Sequence, residues 1–262
     1  MGGCGEIKTI LQNQPVVLTI AGLDPSGGAG IIADIRTFIQ FGCLPTAVLT
    51  SITFQNTLGV FGAVHQSGAT VRSQVEPLLR ELNITAVKTG MLPTAEIVVE
   101  VARLVREADL PAPVVDPVMS STSGAKLISD DAFLALKSEL LPLARLVTPN
   151  IPEAERLTEL RIDSTDGMHR AAQAVRELGV RAVLIKGGHL KEQKPAEAVD
   201  ILDNEGKVTV FRGEWIDLAQ ARGTGCTLSA AIAACLGKGM SLDDSVRAAK
   251  ECVTAAISKT KA

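Results

Sequence analysis

The residues best suited to chemistry sit in short runs that pair glycine with one or two polar side chains. The run Arg222-Gly223-Thr224-Gly225-Cys226-Thr227 opens an alanine-rich segment that reads as a helix over residues 224–236. Glycines let backbone N–H groups converge at a helix N-terminus, which holds an anion such as a phosphoryl group in transfer. Cys226 falls in the first turn, where the helix dipole favours a thiolate. The competing reading is a small buried apolar side chain, as is assumed for Cys235 and Cys252. Ile185-Lys186-Gly187-Gly188-His189 puts a lysine at a strand end, as an exposed charge or a phosphate ligand. In Thr148-Pro149-Asn150-x-x-Glu153 the carboxylate falls in the first turn of a helix. There it either complements the dipole or reaches Mg²⁺ through water. Asp116, at the end of another strand, faces a metal-bound phosphate or caps a turn.

Two further loops carry polar groups. Gly22-Leu23-Asp24-Pro25-Ser26-Gly27-Gly28-Ala29-Gly30 leads into a helix containing Asp34. Gly28-Ala29-Gly30-x-x-Ala33 nearly matches a dinucleotide fingerprint. However, no Asp or Glu occurs from Ile35 to Val75 to hold a ribose. A polar small-molecule site between the two acids, or a bare tight turn, remains. Gln55-Asn56-Thr57 offers amides, each with a donor and an acceptor for a neutral heterocycle, or is an ordinary polar loop. No Walker-A pattern occurs.

These runs follow apolar stretches that must position them. Strands are expected at residues 16–21, 46–53, 60–64, 86–89, 114–116, 146–148 and 182–186, and a hairpin at 199–202 and 208–211 with Gly206 in its turn. Helices are expected at 28–41, 70–82, 94–108, 129–140, 152–160, 167–178, 224–236 and 241–257. Pro77 should kink or divide the second. Ile31, Ile32, Ile35, Phe38 and Ile39 cover more than one face of the first, which implies burial all round. Ser241-x-x-Asp244 is a capping-box pattern for the last. Strand–helix alternation implies an α/β fold of three layers, with a largely parallel sheet between helices. Ligands then bind beyond the carboxyl ends of the strands. No Pro/Gly/Ser linker divides the chain, so one domain over residues 15–262 is expected, after a flexible tail at 1–14.

Composition removes whole classes. With 26 basic and 29 acidic residues the net charge is −3, no footprint for nucleic acid or an anionic membrane. Aromatics are 3% with no tyrosine, too few for base-stacking platforms. Five cysteines at irregular spacing without C-x-x-C argue against disulfides or structural zinc and for a reducing cytoplasm. No apolar run approaches the roughly 18 residues of a membrane span.

Taken in order, the motifs identify a resemblance. The chain resembles the hydroxymethylpyrimidine and phosphomethylpyrimidine kinases of thiamine biosynthesis, in the ribokinase-like superfamily, from about Val16 to Ala256. The carriers are TIAGLDPSGGAGIIAD (19–34), QNT (55–57), KTGML (88–92), VDPVM (115–119), TPNIPEA (148–154), IKGGH (185–189) and GTGCTLSAAIA (223–233). The resemblance implies an ATP- and Mg²⁺-dependent kinase acting on 4-amino-5-hydroxymethyl-2-methylpyrimidine and its monophosphate, and a homodimer. It implies that Gln55 reads the pyrimidine while Gly22, Asp34 and Met91 line the same pocket. Gly223, Gly225 and the Cys226 amide would form the anion hole. Asn150, Glu153, Lys186, Thr224 and Asp116 would serve ATP, with Glu153 and Asp116 nearest the metal. Cys226 stands where most sugar-kinase relatives have Asp, and is the natural base for the hydroxymethyl proton. The family usually has His where this chain has Arg222, and many relatives have a longer C-terminal tail. Related pyridoxal kinases share much of the pattern, so that substrate is the alternative. A non-catalytic pyrimidine sensor is a third reading, opposed by Lys186, Glu153 and the intact GTGC run.

Overall fold

The computed structural model describes residues 14–108, 110–188, 197–214 and 223–260. The expectations for His189, for Arg222 and, apart from Gln14, for the tail at 1–14 lie outside the described residues. The strands are β1 (Val16–Leu23), β2 (Leu44–Gln55), β3 (Val60–His65), β4 (Ile84–Thr89), β5 (Val114–Val115), β6 (Leu146–Val147), β7 (Ala182–Lys186), β8 (Glu197–Asn204) and β9 (Lys207–Glu214). They form one sheet in the order β3-β2-β1-β4-β5-β6-β7-β8-β9. The run from β2 to β7 is parallel, and the outer pairs β2–β3, β7–β8 and β8–β9 are antiparallel.

The helices are α1 (Gly30–Gln40), α2 (Gly68–Glu81), α3 (Ala95–Glu107), α4 (Asp130–Ala135), α5 (Ile151–Thr158), α6 (Thr165–Arg176), α7 (Thr224–Gly237) and α8 (Leu242–Thr260). Helices α2 to α6 pack on one face of the sheet around Val71, Ile97, Leu157 and Met168. Helices α1, α7 and α8 cover the other around Phe38, Ile232 and Val246. The fold is therefore the expected three-layer α/β sandwich. Seven of the eight β1 residues are buried, because a central parallel strand meets helices on both sides.

Four local expectations fail, each for a physical reason. Pro77 does not divide α2, which runs from Gly68 to Glu81. The carbonyl it strands belongs to Ser73, and both residues are exposed, so that carbonyl is open to solvent rather than buried without a partner. The helix expected at 129–140 is α-helical only to Ala135; a π turn, Leu136–Leu140, and a 3₁₀ turn, Leu141–Leu143, follow. This buries Leu136, Leu140 and Leu141 together. Helix α1 is one-sided: Phe38 is buried, but Ile39 is exposed. At α8, Ser241 Oγ accepts the Asp244 N–H at 3.2 Å, but the Asp244 carboxylate takes the Ser241 hydroxyl instead of a backbone N–H.

Candidate active site

Helix α7 begins where two glycine-rich segments meet backbone to backbone. Gly223 has φ 74°, and a Cβ there would lie 1.9 Å from the Gly28 carbonyl oxygen. A Cβ on Gly30, at φ 59°, would lie 2.2 Å from the carbonyl oxygen of Gly22. Only glycine permits both approaches, so the first turns of α1 and α7 face each other across Cys226, and the Gly30 N–H hydrogen-bonds its thiol. We expect Gly223→Ala to destabilise the fold by several kcal/mol, seen as a lower Tm; an unchanged Tm would show that the two loops yield freely.

Lys186, at the end of β7, points at the same turn. Its Nζ would be 3.3 Å from a Cβ on Gly225 and lies 3.4 Å from Asp116 Oδ1. Burial alone would lower its pKa, but Asp116 and Glu153 beside it raise it, so the ammonium stays charged. Asp116 is buried just beyond β5, within 3.5 Å of the Thr148 hydroxyl and 3.3 Å of the Ser229 hydroxyl.

Asn150 and Glu153 form a full capping box at the start of α5. Asn150 Oδ1 accepts the Glu153 N–H at 2.9 Å, and Glu153 Oε2 accepts the Asn150 N–H at 2.8 Å. Burial pushes the Glu153 carboxyl up to about 7, Lys186 opposes this, and the Asp116 charge adds to it. A raised folded-state pKa means stability is fully present below the ordinary carboxyl value and is lost as pH rises through about 7. Glutamine keeps the capping box and stays neutral. Glu153→Gln should therefore raise Tm relative to the parent more at pH 8 than at pH 5; equal differences at both would remove the buried charge as the cause.

Cys226 differs from expectation. The helix dipole favours a thiolate, but burial pushes the thiol up to about 11, and Asp116 and Asp34 outweigh part of what Lys88 returns. In the free protein at neutral pH it is a thiol.

Asp34 is placed beside Lys88. Its carboxylate is fully buried, paired with Lys88 Nζ at 2.8 Å and accepting the Thr19 hydroxyl at 2.6 Å. Burial raises its pKa while Lys88 and Thr19 oppose the shift. An ion pair this dry must satisfy itself internally, and Lys88 and Thr19 supply its partners. Gly22 and Met91 adjoin each other, with Met91 Sδ 3.1 Å from the position of a Cβ on Gly22. Asp24 serves the loop itself, accepting the N–H groups of Ser26 and Ala29.

A cavity of about 710 Å³ lies over these elements. It brings together Gln55, Asp116, Asn150, Glu153 and Lys186 with the α7 turn of Gly223, Thr224, Gly225 and Cys226. Gln55 accepts the Thr53 hydroxyl on Oε1 at 3.0 Å. Among the described residues no group of three or more His, Cys, Asp or Glu side chains forms a metal cage. Mg²⁺ in phosphate sites takes only one or two carboxylates, and Asp116 and Glu153 fit that pattern, since a cation would relieve the repulsion between them. The motif analysis missed Arg156, Asp200 and Lys250, which also line the cavity.

The family model described as phosphomethylpyrimidine kinase matches residues 24–262. A hydroxymethylpyrimidine/phosphomethylpyrimidine kinase of Streptomyces coelicolor is 44% identical over 243 residues, covering 93% of this chain and 88% of that one. The crystal structure of phosphomethylpyrimidine kinase from Clostridium difficile superposes with a TM-score of 0.82 at 39% identity, over 92% of this chain and 99% of that one. The pyridoxal kinase of Staphylococcus aureus, in complex with AMP-PCP and pyridoxal, superposes with a TM-score of 0.83 at 31% identity, over 93% of this chain and 88% of that one.

Proposed function

The chain belongs to the phosphomethylpyrimidine kinase family, and from that premise we propose that it uses ATP and Mg²⁺ to phosphorylate the hydroxymethyl group of 4-amino-5-hydroxymethyl-2-methylpyrimidine, and then the monophosphate, in thiamine biosynthesis. The observation that carries this reading is the convergence of Lys186, Asp116 and the α7 amides on one cavity that also holds Gln55. Phosphoryl transfer asks mainly for positioning and charge stabilisation. The amides of Gly225 and Cys226 and the Lys186 ammonium would hold the transferring group. Asn150 and Thr224 would flank the nucleotide phosphates. Asp116 and Glu153 would hold Mg²⁺, which when bound neutralises phosphate charge. Cys226 would take the hydroxymethyl proton. Gln55 would read the pyrimidine, with Gly22, Asp34 and Met91 lining the same pocket. Half-maximal rate in Glu153→Gln should need more Mg²⁺ than in the parent; an unchanged requirement would remove Glu153 from the metal.

Pyridoxal is the second reading, favoured by the S. aureus neighbour. Both rings carry a hydroxymethyl group, and only the aminopyrimidine carries the exocyclic amine that Gln55 would accept from. A coupled turnover assay with both ring substrates decides between them. In Gln55→Leu, KM for the aminopyrimidine should rise about tenfold or more, the effect of leaving polar groups unpaired, with a smaller change for pyridoxal. Equal, parental KM values for both would deny Gln55 that role.

The protein is further proposed to be a single domain over residues 15–262, cytoplasmic and homodimeric. Among the described residues no helix is long and apolar enough to cross a membrane. For the dimer, support comes from the β2–β3 hairpin, where Phe54, Leu58, Phe61 and Val64 are more than half exposed. A monomer in sedimentation at micromolar concentration would end the dimer proposal.

A further inference from the structure

Asp200 is buried in the cavity wall, 8% exposed, and nothing in the phosphoryl-transfer scheme uses it. It stands on β8 directly opposite Lys186 of β7, the pair at which the β7–β8 ladder ends. One residue further on, the Gly187 N–H lies beyond the ladder, and Asp200 Oδ1 accepts it at 2.9 Å. The side chain thus extends the sheet by one bond where the backbone stops doing so. The other carboxylate oxygen, Oδ2, accepts from Lys250 Nζ on α8.

The chain around Gly187 has little room to move. A Cβ there would lie 1.9 Å from the Val199 carbonyl oxygen and 2.9 Å from Met168 Cε, so the turn lies flush on β8. From the other side, the Lys186 N–H donates to the Pro149 carbonyl at 2.9 Å, and Asn150 and Lys186 bridge in parallel. The Lys186 backbone is therefore gripped from the β6 side by a backbone bond and from the β8 side by the Asp200 carboxylate. An ammonium on a four-carbon stem is mobile unless its root is fixed.

We propose that Asp200 is a positioning residue: by holding the Gly187 amide it fixes the strand end that aims Lys186 at Asp116 and the first turn of α7, and by pairing with Lys250 it ties α8 to the same point. The proposal rests on the kinase reading of this site. A misplacement of about 1 Å in a positioning group can lower a rate about 10²-fold.

The test compares Asp200→Ala with Asp200→Asn. Asparagine keeps an oxygen for the Gly187 N–H, and both variants lose the Lys250 ion pair, so their difference reads the Gly187 contact alone. Asp200→Ala should lower kcat at least about tenfold, Asp200→Asn should recover most of that loss, and KM for the pyrimidine should stay at the parental value in both. In the unliganded protein, hydrogen exchange at the Gly187 amide should be slow in the parent and in Asp200→Asn, and at least about tenfold faster in Asp200→Ala. If the alanine variant is unstable, Asp200→Val, a better strand former, serves as the truncation. Equal losses of kcat in the asparagine and truncated variants, or exchange at Gly187 that is the same in all, overturns the proposal. A parent with no turnover on either ring substrate would defeat the kinase reading, while the exchange result would still decide the contact.

Discussion

Replacing Cys226 with alanine should lower kcat by about 10²-fold, the lower end of what a positioned proton acceptor contributes, with little change in KM. The backbone amides of the α7 turn survive the substitution, so the phosphoryl group keeps its ligands. The lower end is expected because burial holds this thiol up to about 11. Only a small fraction is thiolate at neutral pH. The same fact fixes the sign of the pH dependence: activity should rise with pH through the alkaline range as more thiolate forms, and this limb should be missing in Cys226→Ala. In Cys226→Asp, a carboxylate that accepts a proton at much lower pH should flatten the limb and keep more activity than alanine. Alkylation should accelerate over the same range, with bound pyrimidine protecting. A Cys226→Ala enzyme within threefold of the parent at every pH would show that this loose phosphoryl transfer needs no base here.

Lys186→Ala should be at least as damaging, lowering kcat by about 10²–10³-fold, the usual effect of deleting one preorganised donor to developing charge. The ammonium sits against the Gly225 position, where any side chain would crowd it, and 3.4 Å from Asp116 Oδ1. Its removal also leaves two buried carboxylates without their cation. Because Lys186 holds Glu153 down, the Glu153 carboxyl should move above about 7 in the variant, and its Mg²⁺ requirement should become more strongly pH-dependent. Arginine should rescue poorly, since its planar fork is wider than an ammonium. A kcat within threefold of the parent in Lys186→Ala would place the lysine outside the reacting centre.

The strand–helix alternation was legible because buried parallel strands read as unbroken apolar runs, and β1 and β7 appear where those runs stand. The glycine motifs were legible because chain reversals before helices leave local marks. What escaped was long-range. The pairing of Asp34 with Lys88 left no local mark, because the two are 54 residues apart. Asp200 sits in a strand of ordinary alternation, and its significance comes from Gly187 and Lys250, 13 and 50 residues distant. The capping role of Glu153 was half visible, since its spacing from Asn150 suits a cap as well as a metal. The π turn after α4 had no local signal, because it answers to what Leu136, Leu140 and Leu141 must pack against.

The layer formed by α1, α7 and α8 contains two free thiols, Cys43 and Cys235, that are 3% and 1% exposed. Burial raises both thiols above the ordinary range, and Cys43 Sγ lies 3.7 Å from the carbonyl oxygen of Ala234, to which it donates. No reagent reaches them while that layer is closed. Their labelling rate is therefore an internal clock for opening: while the layer recloses faster than a small alkylating agent reacts, it equals the opening equilibrium multiplied by the rate for an exposed thiol. Such a clock needs no engineered label and no turnover, and would report whether nucleotide, ring substrate or both slow the breathing of the helices that carry the anion hole.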